Sequence, residues 1–290
     1  MDINYELYKV FYYVASTLSF SEASKELFIS QSAVSQSIKT LERKLDQPLF
    51  IRSTKRVQLT PEGEILFRHI EPAIHFIRRG ESQLLDAAST GGQIRIGASD
   101  TICRYFLVSY LERFHKAFPN AHIKVINQTS IKCVELLESG QVDLIVVNYP
   151  NNYLSNVSSI KKIAKFRDVF IANSAFAELK GKSLDFQELS QYPILMLDKH
   201  STTSEFLHRL FQQHQLDLVP EIELTSNDLL TDLARIGLGI AFIPDYCLSE
   251  DEENLFIVKT KEELPERELV IAYNEQIPLT NAAKEFLNYF

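Results

Sequence analysis

Cysteine is scarce in this 290-residue chain: Cys103, Cys133 and Cys247 are odd in number and widely separated. They supply no disulfide framework and suit a reducing, cytoplasmic setting. No apolar run approaches the ~20 residues of a membrane-spanning helix. The opening MDINYELYKVFYYV has early acidic residues and no basic stretch ahead of an apolar one, so it does not read as a secretory leader. The seven histidines show no HxxxH spacing and the cysteines no CxxC pair, so no metal site is expected. Gly237-Leu238-Gly239 lacks a third glycine and follows a helical pattern, which excludes a dinucleotide fingerprint. Neither paired carboxylates nor a nucleophile–base–orienter set can be placed. The expectation is therefore a non-enzymatic protein without cofactor, long enough for two or more cores.

The net charge of -8 is unevenly divided. Residues 1–90 carry 11 basic and 11 acidic side chains, whereas residues 91–290 carry 19 and 27. Within 31–60 the balance reverses: Lys39, Arg43, Lys44, Arg52, Lys55 and Arg56 stand against Glu42 and Asp46. A local basic patch suits phosphate contacts, and an acidic remainder discourages non-specific adhesion elsewhere.

That patch lies in a recognisable pattern. Leu7, Val10, Phe11, Val14 and Leu18 recur every three or four residues, predicting an amphipathic helix over 5–18. Ser21 is expected to cap a second short helix reaching Phe28, and Ser30 a third, 31–45, with Val34, Ile38, Leu41 and Leu45 inward. Residues 49–52 and 56–59 read as two strands of a small wing. Two short helices, a tight break and a basic hairpin suit a helix laid in a DNA major groove with a wing on the phosphates. Gln31, Ser32, Ser35, Gln36, Lys39 and Arg43 are the candidate contacts from the helix, and Arg52, Lys55 and Arg56 those from the wing. A solvated polar face is the plainer alternative, more credible for the wing than for the helix.

Thr60-Pro61-Glu62 starts a long helix running to about residue 88, with a kink or break expected at Pro72. Ser89-Thr90-Gly91-Gly92 reads as a linker. Beyond it strands alternate with helices (93–98, 123–127 and 144–147, then 169–172, 194–197 and 240–243), which predicts a parallel sheet covered by helices. A late strand over 268–273 and a closing helix over 280–290 follow. The acidic run 250–253 reads as a solvated loop.

The segments FSEASKELFISQSAVSQSIKTLERKL, PLFIR and RVQLTPEG, followed by GGQIRIGAS, FHKAFPNAHIKV, LLESGQVDLIVV and GLGIAFIPDY, resemble the LysR-type transcriptional regulators in motif, order and spacing. The resemblance spans essentially the whole chain. It implies an α+β multidomain protein: a winged helix-turn-helix over 1–60, a linker or dimerisation helix over 61–91 and a two-lobed α/β effector-binding domain over 92–290. The lobes would resemble type 2 periplasmic binding proteins, with lobe one at 92–163 and 267–290, lobe two at 164–266 and crossings near 162–165 and 264–267. Implied partners are double-stranded promoter DNA, a small anionic effector in the interlobe cleft, and further copies of the chain, as a homodimer through the linker helix and a homotetramer. The chain departs from the family's habits at Ser32, where Pro is common, at Gln36, where Arg is usual, and near Gln47, where Gly is usual. Replacing Arg by Gln exchanges a guanine-preferring fork for a group that can pair with adenine.

Ligands in open α/β sheets sit beyond the C-terminal strand ends. Three stretches fall there: Ser99-Asp100-Thr101, Thr129-Ser130 and His200-Ser201-Thr202-Thr203, which are the candidate effector contacts. Their hydroxyls and free helix-start N–H groups suit an anion, and ordinary helix capping is the alternative. Asn148 and Asn227 are weaker candidates. Cys103 and Cys133 invite comparison with family members that sense peroxide through cysteine, but no clearly basic setting surrounds them, and buried small side chains are the better reading. Residues 92–290 alone would also suit a solute-binding transport protein, against which the N-terminal reading head argues.

Overall fold

Helix α1 (Tyr5–Thr17) forms where its apolar spacing predicts and buries Val10, Phe11 and Val14. The computed structural model describes residues 3–52, 56–86, 92–154, 158–248 and 254–290. Helix α2 spans Phe20–Glu26, and its cap is Ser19 rather than Ser21: the Ser19 side chain accepts the Glu22 N–H at 3.2 Å. The start moves back because Phe20 belongs to the buried core. It ends early as well, with Phe28 in left-handed backbone (φ 54°) at the tight break. Helix α3 (Gln31–Leu45) is capped by Ser30, which accepts the Ala33 N–H, and buries Val34, Ile38 and Leu41. Strands β1 (Phe50–Arg52) and β2 (Val57–Leu59) pair antiparallel, Phe50 opposite Leu59. Glu42 fixes this wing to α3 by accepting the Leu49 and Phe50 N–H groups at 2.9 and 3.3 Å.

Helix α4 (Pro61–Asp86) runs through Pro72 without the break that was one of the two outcomes expected there. An interior proline costs about 3 kcal/mol. Burial of Ile74, with Leu66, Phe67 and Ile70 packed on the α1–α3 core, supplies stabilisation of that order. Its N-terminus is held by Thr60, whose hydroxyl donates to the Pro48 carbonyl (2.7 Å) and accepts the Gly63 N–H (3.0 Å). Gly63 is obligatory here, since a Cβ would lie 2.2 Å from the Leu49 carbonyl oxygen. Residues 1–85 with 139–141 make one compact unit; 86–138 with 142–290 make a second.

The second unit contains two sheets. Strand β3 (Gln93–Ala98) leads into helix α5 (Asp100–Ile102), a π-helical turn (Cys103–Leu107) and helix α6 (Val108–Ala117), so the single helix expected there is interrupted. Strand β4 (His122–Asn127), helix α7 (Ser130–Glu138), strand β5 (Leu144–Tyr149) and strand β6 (Ser158–Phe166) follow. The chain then enters the second sheet with β7 (Asp168–Ala172), β8 (Ser183–Leu184), helix α8 (Phe186–Leu189), β9 (Ile194–Leu197), helix α9 (Thr202–Gln213), β10 (Ile222–Leu224), helix α10 (Asn227–Arg235), β11 (Ile240–Pro244) and β12 (Phe256–Thr260). It returns with β13 (Arg267–Asn274) and helix α11 (Asn281–Leu287). The strand orders are β4-β3-β5-β13-β6 and β10-β9-β11-β7-β12-β8.

Neither sheet is purely parallel, which corrects the expectation. Strands β3, β4 and β5 are parallel, but β13 runs antiparallel to β5 and β6. In the second sheet β9–β11 and β9–β10 are parallel, whereas β7 is antiparallel to β11 and β12. The return strands reach these sheets without a helical crossover, so no parallel geometry is imposed on them. Gly237 (φ 83°) terminates α10: its N–H donates to the Ala234 carbonyl and that of Leu238 to Leu233, a Schellman closure. The GLG run is thus a helix stop.

Candidate functional site

On α3 one side is core and the other is open. Gln31, Ser32, Gln36, Lys39 and Arg43 are exposed and Ser35 is half-buried, so the six candidates occupy the solvent side together. The Ser32 hydroxyl lies 2.9 Å from that of Ser30 at the helix start. Among the described residues neither Lys39 nor Arg43 has a carboxylate within ion-pair distance; four residues apart, these two cations reinforce one another's field. Arg56 is exposed beside β2, the side chain of Arg52 lies outside the described part, and Lys55 lies outside the described residues.

In the second unit a cavity of about 300 Å³ opens between the two sheets, at the C-terminal ends of β3, β4, β5, β9 and β10. Its wall holds Ser99, Asp100, Thr101, Asn127, Gln128, Thr129, Ser130 and Asn148 from one lobe, and Leu197, Asp198, Ser201, Thr202, Thr203, Thr225, Ser226, Asn227, Pro244 and Tyr246 from the other. Eight of the nine predicted effector residues meet there. His200 stands apart: it is exposed and outside this wall, its backbone N–H donating to Asp198 Oδ1 and its ring lying 3.7 Å from the same carboxylate.

Capping and lining prove to be the same job. Ser99 Oγ accepts the Ile102 N–H, Thr129 Oγ1 that of Lys132, Ser201 Oγ that of Thr203 and Ser226 Oγ that of Leu229, at 3.1 to 3.3 Å. Each cap satisfies one N–H of a first turn and leaves others aimed toward the cavity end of the helix. The remaining side chains tie lobe to lobe. Asn227 Nδ2 donates to Thr101 Oγ1 at 3.0 Å, and Asn148 Nδ2 lies 3.5 Å from Thr202 Oγ1. At the rim the Tyr105 hydroxyl and the Arg104 guanidinium both reach Asp228, and the Tyr153 hydroxyl donates to Glu205 at 2.7 Å. Burial and the Asp228 bond push the Tyr105 hydroxyl well above its ordinary pKa.

Behind this wall Arg267 and Asp168 form a fully buried pair at 2.6 Å. Arg267 also donates to Thr203 Oγ1 (3.1 Å) and Thr202 Oγ1 (3.4 Å), and its guanidinium faces the rings of Phe166 and Phe206. Complete burial lifts the Asp168 carboxyl above the usual range against the opposing pull of Arg267. Through these two hydroxyls the pair is tied to the first turn of α9. Sequence reading missed Arg267, Asp168, Asn127, Gln128, Ser226 and Tyr246. For Ser226-Asn227 the signal was available, being a cap residue after a short strand.

Cys103 is half-buried, with its thiol 3.3 Å from Asn127 Oδ1, and burial raises it to about 11; Cys133, buried under β3, rises to about 12. Neither carries thiolate character at neutral pH, so the structure favours the small-side-chain reading. Among the described residues no group of three or more His, Cys, Asp or Glu could hold a metal ion, and no helix is long and apolar enough to cross a membrane.

A three-helix head with an antiparallel wing, followed by a two-sheet α/β unit with an interlobe cavity, defines a DNA-binding regulator carrying a small-molecule domain. The model of the LysR substrate binding domain matches residues 87–290, and that of the bacterial regulatory helix-turn-helix protein, lysR family, matches residues 5–64. The chain belongs to the LysR family of transcriptional regulators and is not an enzyme. It is 27% identical over 241 residues to a probable RuBisCO transcriptional regulator of Gracilaria tenuistipitata var. liui, covering 81% of this chain and 78% of that one. It is 25% identical over 285 residues to the HTH-type transcriptional activator CmpR of Synechocystis sp., covering 97% and 93%. The fold is that of full-length CbnR complexed with its target DNA, with a TM-score of 0.69 at 15% identity over 99% and 98% of the chains.

Proposed function

We propose that residues 1–60 read promoter DNA, with Gln31, Ser32, Ser35, Gln36, Lys39 and Arg43 in the major groove and Arg52, Lys55 and Arg56 on phosphates. The segment 61–91, through its helix α4 (Pro61–Asp86), serves dimerisation, and residues 92–290 bind the effector through Ser99, Asp100, Thr101, Thr129, Ser130, Ser201, Thr202 and Thr203. The observation carrying this reading is the convergence of capped helix starts from both lobes on one cavity. The exposed apolar side chains Ile65, Phe76, Ile77 and Leu84 on α4 support a second copy packing there, as a homodimer and then a homotetramer. A cytoplasmic location fits a DNA-bound role. Since the lobe-to-lobe bonds pass through the cavity wall, a ligand that replaces them shifts the lobe arrangement by its differential affinity for the two states.

A promoter-fragment shift assay tests both halves. Gln36→Ala is expected to relax one base position at a loss of roughly 1–3 kcal/mol. Thr101→Ala is expected to leave basal DNA binding intact while abolishing the effector response. Unchanged DNA binding in a Gln36→Ala, Lys39→Ala double variant would overturn the reading-face assignment.

A further inference from the structure

The chemistry of the cavity wall narrows the ligand beyond a small anion. Two carbonyl acceptors, Asn148 Oδ1 and Asn227 Oδ1, are buried in the wall without a hydrogen-bond partner. Their residues are 8% and 5% exposed, one in each lobe. A buried acceptor left without a donor is unfavourable, and its natural complement is an N–H or O–H of the bound molecule. Two carboxylates, Asp100 and Asp198, stand in the same wall. Among the described lining residues there is no Lys, Arg or His, and the nearby Arg267 is engaged by Asp168, Thr202 and Thr203. Among the described lining residues, positive potential comes from the starts of the longer helices α7, α9 and α10.

We propose that the cavity takes a small zwitterion of the α-amino-acid class, with one primary ammonium and one carboxylate, and rejects polyanions. The ammonium gives two of its three N–H donors to the asparagine carbonyls, and the charges of Asp100 and Asp198 in the same wall balance its own. The carboxylate takes the helix-start N–H groups, which can hold one negative charge without a cationic side chain. A dianion would set a second charge against the two carboxylates, and a neutral polyol would leave the helix-start field unanswered. The proposal rests on the reading of this cavity as the effector site.

The test is calorimetric titration of the full-length protein with each of the common L-amino acids, their N-acetyl forms, succinate and myo-inositol. At least one amino acid is expected to bind saturably. N-acetylation is expected to abolish that binding, and Asn227→Ala or Asp100→Asn to weaken it about tenfold or more. Because Asn227 also bonds Thr101, Asp100→Asn at an exposed position serves as the variant that keeps the fold. Binding of succinate or myo-inositol with all amino acids inert, sensitive to Asp100→Asn, would overturn the zwitterion while leaving the effector site standing. No binding by any amino acid, or equal binding of the N-acetyl form, overturns it as well. Amino-acid binding indifferent to both variants removes the ligand from this cavity and overturns both readings of the wall, whereas the DNA shift assay is untouched by any of these results.

Discussion

The outer face of α3 and the wall of the cavity are built from the same side-chain types, amides and hydroxyls, yet they stand in opposite states. Gln31, Ser32 and Gln36 are exposed at the head's surface. Thr101, Asn148, Thr202 and Asn227 are already bonded to one another across two lobes. An exposed amide trades water for a base edge with little effect on folding. A buried one is part of the fold, so any ligand there competes with existing bonds. Affinity at the head can therefore change without touching stability, whereas in the cavity the two are coupled.

The sharpest way to break that contrast is Arg267→Met, which strands the Asp168 carboxylate. Its loss of stability is expected to be about 3–5 kcal/mol by urea unfolding, against no more than about 0.5 kcal/mol for Gln36→Ala. Adding Asp168→Asn should recover much of the loss; a double variant as unstable as the single one would show that the guanidinium matters through Phe166 and Phe206 instead. A smaller effect is expected at the head, where Arg56→Ala should lower the slope of log affinity against log salt by about 1 with unchanged base preference. An altered base preference would move Arg56 from the phosphates to a base edge. The smallest effect concerns Cys103. With its thiol raised to about 11, alkylation by iodoacetamide at pH 8 should be slow and accelerate with each step toward pH 11, as the thiolate fraction grows. Fast labelling at pH 7 would reopen the thiol-sensor reading.

The head was legible because its information is local. The 3.6-residue spacing of Val34, Ile38 and Leu41 and the cap at Ser30 sit within fifteen positions, and only α2 slipped, at its start, where Phe20 was drawn into the core, and at its end, which came early at the tight break. The helix capping at Ser99, Thr129 and Ser201 was equally local, and it placed eight of nine effector candidates in the wall. What the sequence could not show depends on separation. Arg267 and Asp168 lie 99 residues apart and Thr101 and Asn227 lie 126 apart, and no period links them. The antiparallel return of β13 was hidden for the same reason, since strand direction is decided by partners and not by the strand's own residues. His200 lies outside the wall because a turn directs its side chain away from its neighbours Ser201, Thr202 and Thr203.

Asp168 opens β7 just after the chain leaves the first sheet, and Arg267 opens β13 where it comes back. Their bond is therefore a rivet through both strands that join the lobes. Two connections far apart in the chain are thereby pinned to each other at one buried point.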